Sequence, residues 1–265
     1  MRHFVGIVLL SVLALVSGTG TGIAHPHIFI DSTARLVFDA EGRLAEIRHR
    51  WIFDEAFSSW VTQGLDVDGD GTIDEAELRD LADENVMALG PFQYYTFAGE
   101  GETDLILRSA GAPGMRMDQG RVVLEFAVHP SAPYAIEREL EIEVTDPDYY
   151  VAFSFPATGG AVLDGAPDAC SVEAHAPKPL NAGDAEILAN IGADVVTLPP
   201  ELRALVRDQT NIIVVNCASD GAPPAEPRTA LEAIDSVIRK PDLPFGGPPA
   251  ELNLPMPRTG FFGWI

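Results

Sequence analysis

Residues 66–77 read DVDGDGTIDEAE and place oxygen donors at the alternate spacing a hard cation requires. Asp66, Asp68 and Asp70 fall at positions one, three and five of a twelve-residue calcium loop. Gly71 supplies the sharp turn at six and Thr72 its carbonyl at seven; Asp74 stands at nine, and Glu77 closes the loop as the bidentate ligand at twelve. The rival is a solvated acidic turn, but so many carboxylates in one tight loop repel one another strongly unless a cation sits among them. Phe57, Trp60, Val61 and Leu65 recur at helical spacing before the loop, and Leu78, Leu81, Ala82, Val86 and Leu89 after it. The pattern predicts an EF-hand-like helix–loop–helix from about Asp54 to Leu89 that holds Ca²⁺. No second loop pairs with it, so a structural staple fits better than a sensor.

A second group that can do chemistry is His25-Pro26-His27. If the chain is cut after Ala24, the His25 amine and imidazole can chelate one ion, with His27 as a third nitrogen. Pro26 has no N–H, which blocks the copper geometry that deprotonates backbone amides. An amine-plus-imidazole chelate suits Zn²⁺, Ni²⁺, Co²⁺ or Cu²⁺. The same two residues read equally as a flexible, solvated chain start. His49, between Ile47 and Trp51, is expected as a hydrogen-bonded core residue. Cys170 and Cys217 are the two cysteines, and an even pair in an exported chain predicts a disulfide, with a thiolate metal site as the alternative. No spacing supports a nucleophile or a phosphate loop, so a catalytic role is not expected.

These groups must be carried by identifiable elements. Residues 28–53 read as a β-hairpin turning at Asp39-Ala40-Glu41-Gly42. Symmetric pairing sets Ile28, Ile30, Ser32, Ala34 and Leu36 opposite Phe53, Trp51, His49, Ile47 and Ala45. It also sets Asp31 against Arg50 and Arg35 against Glu46. In that register Asp54 lies opposite His27 and can orient or complete its site. After the helical insertion, period-2 alternation predicts strands near Phe92–Phe97, Asp104–Ser109, Arg121–His129, Leu140–Asp146 and Tyr149–Phe155. A short helix over residues 200–208 and a strand over Asn211–Cys217 follow. The expected class is α+β, mostly antiparallel β as a sheet or sandwich, with the EF-hand inserted. Residues 222–258 hold nine prolines and read as a Pro-rich tail with room for one short helix at 228–239.

Arg2 followed by the apolar run Phe4–Val16 and small residues up to Ala24 has the layout of a signal peptide, too short for a stable membrane anchor. Three parts result: signal peptide 1–24, β domain 25–221 and tail 222–265. The 40 acids against 17 bases give a net charge of −23, which argues against nucleic acid as a partner. No later stretch is long and apolar enough to span a bilayer, so the mature chain is expected to be exported and soluble.

Four stretches together resemble a bacterial family, domain of unknown function one-thousand-and-seven: AHPHIFID, WIFDEAFS, QYYTFAG and DPDYYVAFSF. The resemblance covers most of the mature chain. It implies a periplasmic component of an ABC-type transport system, encoded beside or fused ahead of nickel/cobalt-type or other transition-metal transporters. The ending PRTGFFGWI is similar to the region preceding the transporter in fused relatives. The resemblance therefore favours the metal reading of His25 and His27 and a membrane metal transporter as partner. The alternatives are a non-catalytic, calcium-stapled interaction module and a periplasmic binding component for a non-metal solute.

Overall fold

The computed structural model describes residues 25–192, 195 and 197–217. The signal-peptide expectation over 1–24 and the Pro-rich tail expectation over 222–265 lie outside the described residues. Among the described residues the fold is α+β, with mostly antiparallel strands in two sheets and four helices. The first sheet runs β5 (Leu107–Asp118), β6 (Arg121–Pro130), β2 (Leu44–Phe53), β1 (Ile28–Phe38), β8 (Val151–Ser154), and β9 (Ala161–Asp164) also pairs with β1. The second runs β10 (Ser171–His175), β11 (Asn211–Asn216), β7 (Glu139–Val144), β3 (Thr96–Glu100), β4 (Thr103–Leu105).

The hairpin β1–β2 forms, but its register is two residues off the expectation: Ile30 pairs with Phe53, Ser32 with Trp51, Ala34 with His49 and Leu36 with Ile47. A slip of two keeps every side chain on its face, so apolar alternation fits both registers equally. A shift between Val37 and Phe38 beside the turn selects between them, and Gly42 takes the left-handed φ of +73° that the turn needs. The expected charge pairs are therefore not made. Asp31 meets Arg121 at 2.8 Å, and Arg35 lies opposite Arg48.

α1 (Glu55–Val61) and α2 (Arg79–Leu89) carry the inserted loop. Leu78, Leu81, Ala82, Val86 and Leu89 are all buried, as their spacing predicts, and join one apolar cluster shared with both sheets. Trp51 is fully buried and packs its ring 4.7 Å from Phe126 and 4.9 Å from Phe153. Leu140, Ile142 and Val144 are fully buried on β7. The strand expected at Phe92–Phe97 begins only at Thr96, because Gly90–Tyr95 form a 3₁₀ turn in which Gln93, Tyr94 and Tyr95 take positive φ. α3 (Ala182–Ala189) and α4 (Pro200–Val206) build a small second cluster in which Leu188, Leu198 and Val206 enclose Tyr149. The Cys170–Cys217 disulfide is present, next to the Ser171–Asn216 pair of β10 and β11.

Candidate metal centres

His25 and His27 enter the fold as an ordered edge. β1 runs parallel to β8, with Ile28 beside Val151, and the backbone N–H groups of His27 and Ile28 both donate to the Tyr150 carbonyl at 2.9 and 3.3 Å. The His27 ring stacks on Tyr150 at 4.5 Å, and the His25 and His27 rings meet edge-on at 4.9 Å. His25 is 2% exposed, and His27 Nε2 is buried without a hydrogen-bond partner among the described residues. Burial, and then the neighbouring His25, push the His27 pKa down, which favours the neutral imidazole a metal ion needs.

The turn that holds these histidines is Asp146-Pro147-Asp148-Tyr149-Tyr150. Asp146 is buried and accepts from Val151 N at 2.9 Å and Asp148 N at 3.0 Å. Its desolvation pushes its pKa up to about 6. Asp148 accepts from Arg203 at 2.8 Å and from Leu198 N at 3.2 Å. Burial pushes its carboxyl up against the opposing pull of Arg203 and His25. Sequence reasoning assigned no site role to this turn. Its residues lie more than a hundred positions from His27, and only the parallel β1–β8 pairing brings them together. The DPDYY run was the available signal.

Asp54 is not beside His27. The two-residue register difference sets it opposite Phe29, whose N–H donates to Asp54 Oδ2 at 2.9 Å, while Asp54 Oδ1 accepts from Phe57 N at 2.8 Å. Both oxygens thus bind strand end and helix start, and Asp54 is the N-cap of α1. His49 is 2% exposed, with Nε2 and the Thr96 hydroxyl 3.1 Å apart.

In the acidic loop, one carboxylate oxygen each from Asp66, Asp68 and Asp70 lies within 4.8 Å of the others. Asp68 accepts from Asp70 N at 3.0 Å and Asp66 from Gly71 N at 3.1 Å. Thr72 donates its N–H and hydroxyl to Asp70 at 2.7 and 2.6 Å, which holds the Asp70 carboxyl below its ordinary pKa. The remaining Asp66 oxygen, Oδ1, is buried without a hydrogen-bond partner among the described residues. Glu77 ties the loop ends together. Its Oε1 accepts from Val67 N at 2.6 Å and its Oε2 from Asp74 N at 3.1 Å, while Asp74 returns an oxygen to Glu77 N at 3.0 Å. That reciprocal pair is a capping box leading toward α2. Clustered hard oxygens, one of them buried and unsatisfied, are a donor set suited to Ca²⁺.

Among the described residues no helix is long and apolar enough to cross a membrane. No curated protein matches the chain. A family model described as "Protein of unknown function (DUF1007)" matches residues 10–217. That match spans most of the 265 residues and takes in the histidine edge, the acidic loop, the DPDYY turn and both cysteines; the chain belongs to the DUF1007 family.

Proposed function

We propose that this chain is an exported, non-catalytic periplasmic protein that binds a transition-metal ion at His25 and His27 and serves a membrane metal transporter. In this reading Ca²⁺ in the 66–77 loop fixes the fold. The observation that carries it is the ordered pair of histidine rings 4.9 Å apart, with the Nε2 of His27 buried and without a hydrogen-bond partner among the described residues. A buried imidazole nitrogen without a partner is costly unless something binds it, and a flexible, solvated start would not be held by two backbone hydrogen bonds to Tyr150. The depressed His27 pKa supports the same reading, because protons compete less with the metal.

The test uses protein exported and processed in the cell, its N-terminus verified by mass spectrometry and its loop saturated with calcium. Titration with Zn²⁺, Ni²⁺, Co²⁺ and Cu²⁺ is expected to give a dissociation constant of about 1 μM or tighter for at least one ion. His27→Ala should weaken it by about a hundredfold. Equal, weak binding by both proteins would remove the metal reading and leave the calcium-stapled interaction module as the better account.

A further inference from the structure

We infer that the outward face of the first sheet binds a small doubly charged anion between Arg35 and Arg48, a site separate from both metal centres. The chain has 40 acidic residues and 17 basic ones, yet here two arginines stand directly across the β1–β2 ladder from each other. Like charges at a cross-strand pair repel and destabilise the sheet. Each has one carboxylate partner among the described residues, and the two partners lie on different strands. Arg35 reaches Asp164 on β9 at 3.5 Å, and Arg48 reaches Glu46 on its own strand at 2.9 Å. Both side chains remain 53% exposed, and exposed pairs of this kind add little stability. A guanidinium has five N–H donors, so most of them stay available to a ligand.

The surroundings form a site for such a ligand. The ladder between β5 and β6 breaks between Ala110 and Gly114, which pushes residues 111–113 out of register. Ala110 and Ala127, facing each other in that ladder, are too small to fill the space beside Arg48. The result is a groove of about 820 Å³ lined by Arg35, Arg48 and Arg50 with the carboxylates Glu46 and Glu125 among them, and by the displaced β5 segment. Arg50 is already paired with Asp118 and Glu125, so Arg35 and Arg48 are the two cations a dianion would meet. That size is in the range of small-ligand sites. Side chains at a cross-strand pair start about 5 Å apart, a spacing that suits one dianion held by two guanidinium forks. Stability does not account for the arrangement, and places where a sequence breaks a local rule without a structural gain are where function is found.

The experiment titrates the full exported chain, without added divalent cations and at about 0.1 M NaCl, with glutarate and separately with inorganic phosphate. Heat and the side-chain Nε–H resonances of the arginines are followed. Arg35 and Arg48 resonances are expected to shift, with a dissociation constant of about 1 mM or tighter. A response to glutarate assigns the dicarboxylate source and a response to phosphate the phosphate source. Arg35→Gln and Arg48→Gln should each weaken binding about tenfold with the melting temperature unchanged or raised, since a repulsion is removed. Glu46→Gln, which releases Arg48, should tighten it. Binding of neither anion, binding unchanged in the arginine variants, or no gain in Glu46→Gln would overturn the inference.

Discussion

His49 shows how far one buried side chain can set the pH response of the fold. Its ring is enclosed by Trp51 and Phe126, with Phe126 stacked at 5.0 Å. Burial lowers its pKa to about 3 from the ordinary 6.5. The folded state therefore binds this proton less readily than the unfolded chain, and its contribution is intact above pH 6.5 and lost as pH falls toward 3. Between pH 6.5 and 4 the loss is about 3 kcal/mol. Asp146 acts in the opposite sense. Its folded pKa, raised to about 6, makes the folded state hold a proton that the unfolded chain releases, so its contribution falls as pH rises from about 4 to 6. The prediction concerns the difference between proteins: His49→Gln should flatten the acid side of the stability profile by about 3 kcal/mol relative to wild type, measured by urea unfolding at pH 4 and 6.5. Parallel profiles would mean that His49 is not the acid-sensitive group. The sequence made His49 legible as a core residue because its alternation with Ile47 and Trp51 shares one face. It gave no access to Asp146, whose burial depends on a turn folded under a distant strand.

At the scale of elements, what repeats locally was readable and what is joined at long range was not. The apolar stripes of β6 and β7 and the helical face of α2 follow from side-chain period alone, and each is buried as expected. The register of β1–β2 does not, because period 2 cannot distinguish a slip of two; Asp54 became a helix cap instead of a partner for His27. The parallel pairing of β8 and β9 with β1 leaves no local trace either, although alternation does predict β8 itself. α3 gives no signal in the sequence because its apolar residues make no clear stripe over eight positions. The disulfide was expected from an even pair of cysteines in a chain read as exported, but its place was not: it anchors β10 and the end of β11 in the second sheet. Its two cysteines are 47 positions apart, and on the chain-entropy view the bond adds about 4 kcal/mol. Replacing both with Ser should lower stability by up to about that amount, read as a lower urea midpoint. An unchanged midpoint would show that β11, between β7 and β10, is held by its ladders alone.

Across the whole molecule, the acidic loop is exposed while the helix it leads into is built into the core. Leu78, one residue past Glu77, is fully buried, and the Asp74 carbonyl accepts from Leu78 N at 3.2 Å. Ordering the loop therefore orders a segment that contributes Leu78, Leu81, Val86 and Leu89 to the same cluster as Trp51 and Ile142. If Ca²⁺ binds the folded loop and not the unfolded chain, saturation at a hundred times the dissociation constant stabilises the protein by about 2.7 kcal/mol. For a chain of this size that is a rise in melting temperature of roughly 5–10 °C. Glu77→Gln should abolish the rise, since position twelve loses its bidentate carboxylate. It should also lower stability without calcium, because Glu77 accepts from the backbone N–H of Val67 and Asp74 at opposite ends of the loop. Asp68→Asn separates the two effects. Asp68 accepts from Asp70 N within the loop, so its neutral form keeps the apo fold yet weakens the calcium response. A melting temperature indifferent to calcium in the wild type would leave the capping box and the Glu77 tie to Val67 N as the reason for Asp74 and Glu77.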